Sequence, residues 1–343
     1  MSLLEQEIFS QPEIIEQLLK NEVQHIEQIV DELPAFGYIL IAARGSSDHA
    51  ATYAKYAWAT HGHYPVALAA PSLYTIYHEP PNIKNALVVG ISQSGQSPDI
   101  VAVLEDGRRQ GCPTIAITND GNSPLAAAAD HVVQLHAGLE KSIVATKTYT
   151  AQLAVMMMFA AAWSGNRQHL NDLQQIPGAI AAALNSSAEI AQRAERYRYI
   201  QESAVIGRGY NTATALELGL KLKELTYIMA TSYSSADFRH GPIATIDKGM
   251  PAILIMPAGA VLDDMINLAE ELQQRQAELL IISDTPQALK YARTAFPLSA
   301  SVPEWISPIT AIIPGQLLGL HLAQVRGLDP DVPRGLNKIT RTY

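Results

Sequence analysis

The chain has 343 residues, 48% of them hydrophobic and 17% charged, with a formal net charge of −9. At roughly 150 residues per domain that length reads as two domains, and the composition excludes a disordered chain. The acidic balance excludes a general nucleic-acid or anionic-membrane binder, which needs a basic face.

Cys112 is the one cysteine. A single thiol excludes an internal disulfide framework and any cysteine-rich metal site, and it is compatible with a reducing compartment. The opening MSLLEQEIFSQPEII carries acids where a signal peptide would be basic. The apolar run from Leu153 to Trp163 is eleven residues, against about twenty for a membrane span, and is expected to be a buried core helix. The expectation is a cytoplasmic protein with no membrane partner.

In chain order, Ile14, Ile15, Leu18, Leu19, Val23, Ile26, Ile29 and Val30 recur at helical spacing, predicting an amphipathic N-terminal helix or helix pair over 1–34. Short β-rich runs follow, each leading through small polar residues into a helical segment. YILIAAR from Tyr38 runs into GSSDHAATY, and ALVVGI from Ala86 into SQSGQSPD. TIAIT ends at Thr118, and HVVQLH starts at His131. Strands that are apolar throughout and alternate with helices predict a parallel sheet covered on both faces. The pattern recurs at Ala204, Pro251 and Glu278. These starts are spaced 47 and 74 residues from the first, against 48 and 75 for Ala86 and Pro113 measured from Tyr38. The cadence predicts two copies of one α/β unit, over 35–165 and 200–330, with a helical connector at 166–199 and a tail at 331–343.

Ligands of parallel sheets bind beyond the carboxyl ends of the strands. The loops there, Gly45-Ser46-Ser47 and Ser92-Gln93-Ser94-Gly95-Gln96-Ser97, offer hydroxyls and free backbone at helix starts, which suits a phosphate. One serine serves as an ordinary N-cap; three serines and a glutamine exceed what a cap needs. There is no GxxxxGK[ST] loop, and Gly207-Arg208-Gly209 lacks the third glycine of a dinucleotide fingerprint. On the helix after it, Glu217, Lys221 and Glu224 share one face, as a solvated pair of salt bridges or as part of a site. His240 follows Arg239 and precedes a Gly-Pro turn. His61 and His63, and His131 and His136, have no third ligand at a recognisable spacing, so no metal is expected.

GSS, SQSGQS, ATK at Ala145–Lys147, LELGLKLKE and RHGP, in this order, together with the closing DPDVPRGLNKIT, resemble the sugar isomerase (SIS) family. They are most similar to the isomerase half of glucosamine-6-phosphate synthase and to the isomerising glucosamine-6-phosphate deaminases. The resemblance implies two tandem SIS domains, each a five-stranded parallel sheet sandwiched by helices. It implies that Ser47, Ser92, Gln93, Ser94 and Ser97 hold a sugar 6-phosphate and that Glu224 moves a proton between C1 and C2. It assigns His240 to ring opening from a neighbouring subunit and Lys338 to contact with the open-chain sugar. Glu217 and Lys221 are implied as supporting polar positions, and Ile143 and Val144 as the sugar-contacting loop, where Ala145 replaces a serine of the synthase. A homodimer with shared active sites, no cofactor and no nucleic acid follow from the same resemblance.

Interconverting an aldose and a ketose needs an open chain, a base over the C1–C2 edge and stabilisation of the developing oxyanion. About 35 residues precede the first strand, without a terminal cysteine, so the expected reaction is deamination of glucosamine 6-phosphate rather than synthesis from glutamine. Other phosphosugar isomerisations or deaminations, and deglycation of a 6-phosphofructosyl-amine, are alternatives within enzymes. A non-catalytic phosphosugar sensor is the alternative outside them.

Overall fold

The computed structural model describes residues 1–338. The chain opens with α1 (Leu3–Phe9) and α2 (Gln11–Glu32), then runs β1 (Tyr38–Ala42), α3 (Ser46–His61), β2 (Val66–Leu68), α4 (Ser72–Thr75), β3 (Ala86–Ser92) and α5 (Pro98–Arg109). It continues through β4 (Thr114–Thr118), α6 (Pro124–Ala127), β5 (His131–Gln134), α7 (Lys147–Ser164), α8 (Arg167–Leu173), α9 (Ile176–Leu184) and α10 (Ser187–Ala194). After these come β6 (Glu202–Gly207), α11 (Thr212–Thr226), β7 (Met229–Ser234), α12 (Ser235–Arg239), β8 (Pro251–Ile255) and α13 (Leu262–Gln274). The last elements are β9 (Glu278–Ser283), α14 (Pro286–Leu289), β10 (Thr294–Pro297) and α15 (Ser307–Val325).

These elements form two compact units. The front unit comprises residues 13–140, 147–174 and 337–338 and holds β1 to β5; the rear unit comprises 1–12, 141–146 and 175–336 and holds β6 to β10. The front sheet has the order β2-β1-β3-β4-β5, and the rear sheet, read from β7, has β7-β6-β8-β9-β10. Every pairing is parallel. The same permutation therefore occurs twice, as the repeated spacing of strand starts predicted. In such an order the chain reverses its winding next to the first strand of each unit. The crevices between β1 and β3 and between β6 and β8 are the switch points where ligands gather.

Central strands are apolar because helices cover both faces. Every residue of β3 is buried, as is every residue of β8. Leu40, Val88, Val103, Leu104 and Leu125 form the front core, and Ile206, Leu254, Leu268, Leu279 and Ile281 the rear core. Each such side chain contributes about 1.5–3 kcal/mol relative to exposure. The apolar run at Leu153 lies inside α7, buried along nearly its whole length. Trp58 of α3 donates its indole N–H to Met156 O at 2.9 Å. The stretch Glu304–Val325, which contains α15, is long and apolar enough to cross a membrane, but its apolar window is buried, a core helix of the rear unit.

Candidate functional site

In the front unit, β1 and β3 deliver their loops to the switch point. Gly45 precedes α3 with φ +56, and Ser97 precedes α5 in extended conformation; neither helix start receives a side-chain cap. Peptide N–H groups at such starts, with the positive end of the helix dipole, favour an anion. Ser47 is buried in the first turn of α3, where its Oγ accepts from Gln152 Nε2 of α7 at 3.0 Å. Ser92 Oγ accepts from the Gly95 N–H at 3.2 Å and lies 3.5 Å from Ser97 Oγ, and Ser94 Oγ accepts from Gln96 N at 3.3 Å. The Gln93 carbonyl accepts from Asn119 N, which ties the loop to the end of β4. Gly95 has φ +63, and a Cβ there would fall 2.1 Å from Ser123 Oγ. Only glycine fits this turn without displacing its neighbours.

The front unit also holds Lys338. Its Nζ lies 2.6 Å from Glu140 Oε2, and Glu140, only 2% exposed, further accepts from Thr148 N and Oγ1. Glu140 stands in the loop between β5 and α7, and sequence reasoning missed it. A lone acid in a loop carries no periodic signal, and its partner is 198 residues away.

The rear unit gathers the charged helix. Lys221 Nζ sits 3.2 Å from Glu217 Oε1 and 2.7 Å from Glu224 Oε2. The one-face spacing is thus confirmed, but the face is not the solvated one of an ordinary surface pair. The side chains of Glu217 and Lys221 are 0% and 1% exposed, and only Glu224, at 22%, retains access to solvent. Burial alone would push the Lys221 ammonium down; Glu217 and Glu224 outweigh it and hold its pKa above the usual lysine value. Helix α11 ends at Tyr227 in the left-handed region, φ +60. There the Tyr227 hydroxyl accepts from Arg334 N at 2.7 Å, and the Arg334 guanidinium lies 4.4 Å from the ring centroid.

His240 is exposed at the C-cap of α12, preceded by Arg239, which pairs with Asp264 and Glu271. Ile143 and Val144 also belong to the rear unit; Val144 is 1% exposed, so its side chain packs inward. The structure therefore brings Ser47, Ser92, Gln93, Ser94, Ser97 and Lys338 into the front unit. Glu217, Lys221, Glu224, His240, Ile143 and Val144 fall in the rear one.

The rear switch-point loop, after β8, has a different content. It runs Pro257 to Val261 without hydroxyls, and Ala260 N donates to Glu304 Oε2 at 2.7 Å. Gly259 has φ +154, and a Cβ there would lie 2.3 Å from Glu304 Cδ. Among the described residues no group of three or more His, Cys, Asp or Glu side chains is arranged to hold a metal ion. His136 meets Glu22, and His61 packs edge-on against His169.

Comparison with known proteins adds four findings. A family model described as the SIS domain matches residues 37–162 and again 202–325. The glutamine–fructose-6-phosphate aminotransferase (isomerizing) of Thermococcus kodakarensis is 32% identical over 341 residues, covering 97% of this chain and 56% of that protein. The chain thus spans about half the length of the curated relatives it matches. Among solved structures, the C-terminal domain of glucosamine-fructose-6-phosphate aminotransferase from Francisella tularensis superposes with a TM-score of 0.87 at 27% identity, covering 97% of this chain and 98% of that one. A glucosamine-6-phosphate deaminase from Thermotoga maritima shares the fold, with a TM-score of 0.81 at 22% identity over 99% of this chain and 100% of that one.

Proposed function

This chain belongs to the SIS domain family, and on that premise we propose that it deaminates glucosamine 6-phosphate to fructose 6-phosphate and ammonia. The observation that carries the reading is the buried triad of α11, in which two members are sealed and Glu224 alone keeps access to solvent. A carboxylate fixed by a buried ammonium, with one side open, suits a base that must meet a carbon acid in a set geometry.

In the proposed reaction, His240 assists opening of the pyranose ring. Glu224 takes the proton from C2 and returns it to C1, converting the aldehyde with its 2-amine into a 1-hydroxyl and a C2 imine. Water then adds at C2, ammonia leaves, and the ketone of fructose 6-phosphate remains. Ser47, Ser92, Gln93, Ser94 and Ser97 anchor the phosphate far from the reacting carbons, so that binding energy orients the C1–C2 edge. Lys338, carried on Glu140, contacts the open-chain sugar. The homodimer with shared sites belongs to this reading through His240. Cys112 is 5% exposed in the front core and donates its thiol to Ile83 O, so it takes no part in the proposed chemistry.

The test is ammonia release from glucosamine 6-phosphate by the full chain, with Glu224→Gln beside it. The variant is expected to lose about 10²–10⁴-fold in kcat with KM held within a few-fold. No ammonia from the unaltered chain overturns the reaction. A Glu224→Gln chain with full turnover overturns the role of the base, and binding without any turnover returns the chain to the sensor alternative.

A further inference from the structure

We propose that Arg44 is a phosphate-binding residue of the front unit, held ready by Asp99 across the switch-point crevice; this rests on reading the serine loop as a phosphate site. Arg44 lies two positions past the end of β1 and precedes the Gly45 turn into α3. Asp99 is the second residue of α5, two positions after Ser97, and its side chain is fully buried. Asp99 Oδ2 accepts from Arg44 Nε at 2.9 Å, while Oδ1 accepts from Ile100 N at 3.0 Å. Both carboxylate oxygens are therefore engaged, and the acid cannot swing away.

The consequence for Arg44 is geometric. β1 and β3 are neighbours in the sheet, paired from Tyr38 with Ala86 to Ala42 with Gly90. The bond from the exit of β1 to the first turn of α5 thus crosses the crevice on which the serine loop opens. A guanidinium is planar and presents five N–H donors in a fixed fork. Nε is the nitrogen that meets Asp99, and the side chain is 51% exposed, so donors of the fork remain open to solvent. A cation oriented through one edge and open at the other is the arrangement that takes a phosphate oxygen pair.

Charge gives the reason such a residue is needed. The serine loop contributes hydroxyls and peptide N–H groups but no charge, and the protein carries a net −9. A phosphate dianion drawn into that field gains from a local cation. Asp99 offsets part of the Arg44 charge and holds its position, so the guanidinium is preorganised for the ligand.

The experiment is a 31P NMR titration of the full chain with inorganic phosphate, comparing the unaltered protein with Arg44→Met, Arg44→Lys, Ser97→Ala and Arg208→Met. Arg208, at the exit of β6 in the rear unit, serves as the control. Arg44→Met is expected to weaken phosphate about tenfold or more, the range for a charge-assisted hydrogen bond. Arg44→Lys is expected to weaken it also, because an ammonium cannot serve Asp99 and a phosphate with one planar fork. Ser97→Ala should weaken it and Arg208→Met should leave it within twofold. Should Arg44→Met fail to fold, Arg44→Lys carries the same test. Phosphate affinity within twofold of the unaltered chain in the Arg44 variants, with Ser97→Ala weakened, overturns the role of Arg44 and leaves the loop intact. A chain that takes up no phosphate, or whose uptake neither Ser97→Ala nor the Arg44 variants alter, overturns the reading of the loop and Arg44 with it.

Discussion

In the front unit the loop after β3 carries Ser92, Ser94 and Ser97 and runs into a helix start that no side chain caps. In the rear unit the loop after β8 contains Pro257-Ala258-Gly259, and the carboxylate of Glu304 accepts from the Ala260 N–H. The two loops occupy the same place in the same strand order. A switch point offers peptide N–H donors whatever its sequence, so something negative tends to sit there. The rear unit supplies that negative group to its loop N–H directly; in the front unit the serine loop presents neutral donors, and the Asp99 carboxylate beside it is engaged by Arg44 and the Ile100 N–H. The charges of the rear unit are likewise matched internally, Lys221 lying between Glu217 and Glu224. The rear loop meets its donor from within, and the front loop is arranged for a guest.

The largest expected effect falls on the internally matched charges. Lys221→Met should destabilise the protein by about 3–5 kcal/mol, because it leaves buried carboxylates without their cation; urea unfolding reads this out. A loss below about 1 kcal/mol would mean that the triad is not held as a buried unit. Next, Gly95→Ala should cost about 1–3 kcal/mol through its positive φ and the collision with Ser123, and it should abolish phosphate uptake in the front loop. Retained uptake would show that the turn is not what shapes the site. Glu304→Ala should cost about 1–2 kcal/mol by leaving the Ala260 N–H without its acceptor. Added sulfate should recover part of that loss in the variant more than in the unaltered chain. Equal recovery in both would break the comparison, since the rear loop would then have no vacancy for an anion.

The smallest effect concerns acid. Burial pushes His61 down to about 4 from its ordinary 6.5, helped by His169 and His63 against the opposing pull of Asp172. The unfolded chain then binds more protons than the folded one between those values. This part of the stability is complete above about 6.5 and is lost as pH falls towards 4. His61→Gln should flatten the fall in melting temperature over that window by about 2–4 °C, the site being only half buried and partly screened by water. An unchanged slope would place the acid sensitivity elsewhere.

The starts of the central strands were legible because both faces are buried, so β3 and β8 read as unbroken apolar runs. The edge strands β2 and β7 were not: β2 is three residues long and half exposed, and β7, MATSYS, carries small polar residues that look like a loop. The serine loop stood out through an excess of hydroxyls over what a cap requires. The partners that fix the site residues did not, because pairing is a property of the fold. Asp99 meets Arg44 across 55 positions, Glu304 meets Ala260 across 44, and Glu140 meets Lys338 across 198. The face of α11 was readable from a spacing of four and three residues, yet its burial was not. Helical periodicity tells which residues share a side and leaves open what packs against that side.

Tyr227 occupies a backbone conformation in which glycine would cost about 1 kcal/mol less. An engineer seeking heat resistance would therefore choose Tyr227→Gly first. That exchange would remove both the hydroxyl that accepts from Arg334 N and the ring beneath its guanidinium. The segment leading towards Lys338 would lose its mooring to the end of the helix that bears Glu224. A hardier chain with a slacker tail is the outcome to anticipate, so the cheaper residue at that helix end is the wrong choice for anyone who also wants turnover.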